Sequence, residues 1–168
     1  MAEPSAPPPA ATSFEKAVAL LSKLSVLPSI VLFNVEGVLW QDAAPGADAA
    51  PYPDAAGIQA ALRFKGVRVG ATMHREESRH LLLKLCAESF QPTVLHRADD
   101  PSATFREVKE KLGIPFGQML LFDANVSRVR AAASLGMTAQ RLLNGLTLTD
   151  FEKGLRAFVD RDLDSRGF

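Results

Sequence analysis

Ile30-Val31-Leu32-Phe33-Asn34-Val35-Glu36-Gly37-Val38-Leu39-Trp40 is the stretch on which the fold turns. Residues 30–33 form an apolar run of strand length that stops at the short polar side chain of Asn34. Gly37 then lets the backbone turn sharply. In an α/β fold, ligands collect beyond the carboxyl ends of parallel strands, so Asn34 and Glu36 stand where chemistry is expected.

The rest of the chain alternates around this strand. Upstream, Thr12 with Glu15 reads as a capping box, and Phe14, Val18, Leu21 and Leu24 recur at helical spacing. The pattern predicts a helix over 13–24, ended by Pro28. Downstream, helices are predicted over 54–64, 76–88, 102–112, 126–135 and 149–160. Gly66 is the natural stop of the first of these, Ser102 the cap of the third, and Thr149 with Glu152 the capping box of the last. Strands are predicted over 67–72, 93–95, 119–122 and 137–142. This alternation specifies an α/β domain, a three-layer doubly wound parallel sheet of five strands. Residues 1–12 form an Ala/Pro-rich arm, 13–168 a single domain with an added first helix (13–25) and a core (30–160). The loop 41–53 is too short for a cap domain.

Composition narrows the function. Of the 168 residues 47% are hydrophobic, which suits a globular body. Lys and Arg together number 19, as do Asp and Glu, so neither nucleic acid nor an anionic membrane is an expected general partner. No apolar run approaches the roughly 20 residues of a membrane span. The first dozen residues carry Glu3 and lack Arg, unlike a typical leader. The lone Cys86 cannot close an intrachain disulfide and reads as a buried thiol in a reducing intracellular compartment. His80 and His96 share no metal-ligand spacing with Cys86. Trp40 reads as packing at the rim of the site, Arg128 and Arg130 as ordinary solvated positions. His74-Arg75, followed by Glu76 and Glu77, reads as a surface salt-bridge cluster, with anion binding as the alternative.

Taken in order, residues 31–40, Tyr52-Pro53, Gly113-Ile114-Pro115-Phe116-Gly117-Gln118-Met119, Leu121-Phe122-Asp123, Leu135-Gly136-Met137-Thr138 and Asn144-Gly145-Leu146 resemble the haloacid dehalogenase superfamily of phosphotransferases. Within it they are most similar to the magnesium-dependent phosphatase family. The resemblance covers about residues 30–159 and implies a capless sheet of strand order 5-4-1-2-3. It also implies four functional parts: a nucleophilic Asp after the first strand, an acid/base Asp two residues on, a hydroxyl and a lysine for the phosphoryl group, and acidic Mg²⁺ ligands after the fourth strand.

Carried over one position at a time, this set is altered at five places. The nucleophile position holds Asn34 and the acid/base position Glu36. The hydroxyl position holds Met73, with Thr72 supplying a hydroxyl if the register shifts by one. The lysine is missing, Arg97 being the nearest basic residue upstream. After the fourth strand Asp123 is kept, but Ala124 replaces its acidic neighbour. Losing one member of a catalytic unit commonly costs orders of magnitude in rate. The resemblance with these departures implies that the chain is not an enzyme, but an inactive pseudophosphatase serving as an interaction or scaffold subunit of a larger assembly, docking by its N-terminal arm. The alternative is a residual or altered Mg²⁺-dependent phosphatase; a weaker one is a non-reacting phosphate or anion sensor. No cofactor is expected, save Mg²⁺ held weakly by Glu36 and Asp123, which otherwise read as solvated acids or backbone caps. Thr72 and Arg97 are the candidate phosphate contacts.

Overall fold

In the computed structural model, which describes residues 11–41, 50–75, 93–95 and 100–167, the opening apolar run forms β1 (Ile30–Asn34), buried throughout. β2 (Arg68–Met73) and β4 (Met119–Asp123) flank it, both parallel to it. β3 (Thr93–Leu95) lies beyond β2 and β5 (Thr138–Arg141) beyond β4, so the sheet runs β3-β2-β1-β4-β5, the order expected.

Helices cover both faces. Val31 and Phe33 face the layer of α1 (Ser13–Ser22), α2 (Ala55–Phe64) and α5 (Leu148–Ser165). Their neighbours Ile30 and Leu32 face the layer of α3 (Pro101–Leu112) and α4 (Val126–Leu135). Burial on both sides explains why β1 is apolar from Ile30 to Phe33 instead of alternating.

Several element ends differ from the sequence expectation. Asp100, not Ser102, caps α3: its carboxylate accepts from the Ala103 N–H at 3.3 Å. Pro101 follows at the first helical position, where its missing N–H leaves no bond unmade. Thr147, not Thr149, caps α5, its Oγ1 accepting from the Asp150 N–H at 3.1 Å. That helix runs on to Ser165, past the expected 160, with an Arg166–Asp162 ion pair at 3.0 Å in its last turn. α1 stops at Ser22 and β2 is shifted by one residue to 68–73.

The added helix α1 is docked closely. A Cβ on Gly57 of α2 would lie 2.7 Å from the Phe14 backbone nitrogen, so glycine is needed where the two helices touch. The Ser13 hydroxyl donates to Asp54, whose other oxygen accepts from the Leu148 N–H at 3.1 Å. One carboxylate thus joins the starts of α1 and α5 to α2. Among the described residues no helix is long and apolar enough to cross a membrane. Residues 1–10 of the arm, 42–49 of the loop, the predicted helix over 76–88, and Cys86, His80, His96 and Arg97 lie outside the described residues.

Candidate functional site at the carboxyl ends of β1, β2 and β4

From β1 the chain steps outward to β2 and β3, then returns to the other side of β1 as β4. The crevice at this switch is where a doubly wound sheet binds ligands. Asn34 ends β1 and Asp123 ends β4, so the sheet itself brings these two together with Glu36, Thr72 and Ala124.

The turn after β1 places Glu36. Gly37 takes φ +78°, a conformation that side chains with a Cβ rarely adopt. Its N–H bonds to the Trp40 carbonyl at 2.8 Å, while the Leu39 and Trp40 N–H groups both bond to the Val35 carbonyl at 3.1 Å. Trp40 is therefore drawn into the core, not set at the rim. The tight turn folds Glu36 back across the strand ends to the residues after β2. There its carboxylate accepts from the backbone N–H of His74 at 3.0 Å and of Arg75 at 3.0 Å. Glu36 is only 8% exposed, so it is a buried acid tied to backbone amides. The amides of His74-Arg75 do bind an anion, and the anion is the protein's own.

Asn34 is wholly buried, and its neighbours settle the orientation of its amide. Nδ2 donates to the Glu36 carbonyl at 2.8 Å and to the Glu36 carboxylate at 3.3 Å. Oδ1 accepts from the Thr72 hydroxyl at 3.3 Å. The strand register pairs Asn34 with Thr72, so the hydroxyl beside the nucleophile position belongs to Thr72. Met73, the residue expected there, is packed into the core instead.

Asp123 has no exposure and is bonded at both oxygens. Oδ2 faces Arg128 Nε at 2.8 Å, and Oδ1 accepts from Arg128 Nη2 at 3.0 Å and the Asn125 N–H at 3.0 Å. The geometry follows from the local chain. Asn125 caps α4 through the Arg128 N–H at 3.0 Å, and the first helical turn then aims Arg128 back at the end of β4. The Arg128 side chain is 12% exposed, which corrects the expectation of a solvated arginine. The signal that could have found it is an Asp closing a strand, an Asn cap two residues on, and an Arg in the next turn. Arg128 is the site residue that the sequence reading missed.

Glu36, His74, Arg75, Ala124, Asn125 and Arg128 line a cleft of about 440 Å³ at these strand ends. The donors present do not fit the Mg²⁺ that the resemblance implies. That ion needs near-octahedral oxygen ligands, but Asp123 is matched to a guanidinium, Ala124 offers no side-chain oxygen, and Asn34 Oδ1 is bonded to Thr72. Glu36 is directed at backbone amides. Among the described residues no three His, Cys, Asp or Glu side chains gather as a metal set.

Comparison with known proteins agrees with the fold and bears on the function. The model that describes the acid phosphatase family matches residues 84–161. A curated human protein, magnesium-dependent phosphatase 1, is 30% identical over 119 residues, 68% of this chain and 66% of its own length. The cobalt-bound deoxy-D-mannose-octulosonate 8-phosphate phosphatase of Haemophilus influenzae superimposes with a TM-score of 0.57 at 14% identity, covering 83% of this chain and 90% of that one. CbbY from Rhodobacter sphaeroides, solved with phosphate, gives 0.56 at 14% identity over 71% and 88% of the two chains. The latter two likenesses concern the fold.

These relatives overturn one expectation from the sequence. The five altered positions imply a chain that is not an enzyme, but the matched family and the curated relative are named as phosphatases, which points to an enzyme. The substitutions change the parts of the site without emptying it. Buried charge and hydrogen-bond donors still converge on a cleft at the strand ends.

Proposed function

Because the chain belongs to the magnesium-dependent phosphatase family of the haloacid dehalogenase superfamily, we propose that its strand-end cleft hydrolyses phosphate monoesters by an altered route. The observation that carries this reading is that Glu36 and Arg128 line the same cleft at the strand ends. Asn34 is an amide and cannot form an aspartyl phosphate, so the attacking oxygen comes from water. Glu36 takes a proton from that water as its oxygen bonds to phosphorus and the ester P–O bond breaks. The leaving alkoxide recovers a proton from the Glu36 carboxyl group, giving the alcohol and inorganic phosphate. Arg128 faces the charge spread over the phosphoryl oxygens, where a fixed guanidinium is most effective.

The test is hydrolysis of p-nitrophenyl phosphate by the full chain and by Glu36→Gln, which keeps the shape and removes the base. Loss of a general acid/base lowers turnover by about 100-fold or more, and that is the expected result. Wild-type hydrolysis no faster than buffer, or a Glu36→Gln variant as fast as wild type, sinks the proposal. Phosphate binding without turnover would turn the reading towards a sensor.

A further inference from the structure

We infer that Arg128 replaces a divalent cation in this site, so that the cleft takes the phosphate group of its substrate without metal. The inference rests on the phosphate-ester reading above and specifies how that site meets its ligand. A buried carboxylate at the end of β4 needs a cationic partner, and Asp123 has one in a two-point contact with Nε and Nη2 of Arg128. With Asn125 N–H as its third donor, Asp123 has both oxygens committed to the protein. Ala124 and the amide of Asn34 remove formal negative charge from the same strand ends, which lowers the attraction for a hard cation further.

The guanidinium still has a group to offer. Nε and Nη2 hold Asp123, while Nη1 has no hydrogen-bond partner among the described residues, and Arg128 lines the cleft. A guanidinium anchored on one edge and open on another is preorganised for a phosphoryl oxygen. Asp123 thereby becomes a positioning residue: it fixes the arginine and does not touch the ligand. The Asn125 cap reinforces this by fixing the first turn of α4, on which Arg128 stands.

The experiment is calorimetric titration of the full chain with inorganic phosphate, once in EDTA and once in excess Mg²⁺. Metal-independent recognition predicts dissociation constants that agree within about twofold, a difference well under the 1.4 kcal/mol of a tenfold change. Arg128→Ala alone leaves Asp123 buried without its partner and risks misfolding, so the paired variant Arg128→Ala with Asp123→Asn removes both charges together. It is expected to keep its circular dichroism spectrum and to bind phosphate at least about tenfold more weakly, as loss of a charge-assisted contact implies. Binding that vanishes in EDTA and returns with Mg²⁺ overturns the inference, as does no binding in either buffer or wild-type affinity in the paired variant. The two readings fail separately. Turnover that requires Mg²⁺ keeps the phosphatase and removes the arginine substitution, whereas metal-independent phosphate binding without turnover does the reverse.

Discussion

Asn34 shows how far a single substitution has been built into its surroundings. Its Nδ2 faces two acceptors, the Glu36 carbonyl and the Glu36 carboxylate, and its Oδ1 faces the Thr72 hydroxyl. Asn34→Asp would restore the acid that the family resemblance implies, yet it would set a carboxylate oxygen against both acceptors at a site with no solvent. The expected cost is about 2–4 kcal/mol, combining a buried unsatisfied group with an uncompensated charge. Urea unfolding monitored by circular dichroism measures it, and an unchanged midpoint would show that the network readily rearranges. At this scale the sequence was informative about identity but not about partners. It marked Asn34, Glu36 and Asp123 as strand-end residues, and a strand end is a local property. It paired Arg128 with nothing, because burial of an arginine depends on the turn that brings it back to the sheet.

The helix α1 is the element added to the core, and its attachment depends on one small residue. Gly57 lets the start of α1 approach α2 so closely that a side chain at 57 would meet the Phe14 backbone and the Ser13 Cβ, both at 2.7 Å. Phe14 and Phe64 meet edge to face beside this contact, with ring centroids 5.8 Å apart. Gly57→Val is therefore expected to force the two helices apart and destabilise the protein by about 1–3 kcal/mol, the usual range for overpacking. Limited proteolysis should then cut within 13–24 earlier than in wild type; equal cleavage rates would count against close docking. Periodicity made these helices legible, since an apolar stripe is written locally. Their starts were harder to read. Thr147 and Thr149 each precede an acidic residue by three positions, and Asp100 competes with Ser102, so the residue that caps is decided by where the helix packs.

Over the whole molecule, β1 and β4 join the two helical layers. Phe33 and Phe122 stack at 5.4 Å across these strands, Phe151 of α5 lies 6.0 Å from Phe122, and Gly154 leaves room for the Phe122 ring edge. Phe122→Ala opens a cavity in the core between the sheet and the layer of α1, α2 and α5, with an expected loss of about 3–5 kcal/mol. A thermal or urea midpoint that hardly moves would mean that Phe122 is not central to the core. The sequence by itself determined the alternation of strands and helices, the apolar β1 and the family likeness, because each is carried by residues close together in the chain. The strand order came from the likeness and is matched by the sheet. Tertiary structure alone decided that Thr72 lies beside Asn34, that Glu36 reaches the amides of His74 and Arg75, and that Asp123 is neutralised by Arg128. These depend on strand register, on the path of a glycine turn and on the rotation of a helix over the sheet. The first two join residues 38 or 39 positions apart, which spacing along the chain does not encode; the third spans only five positions, and what the chain left open was the docking of α4 that buries it.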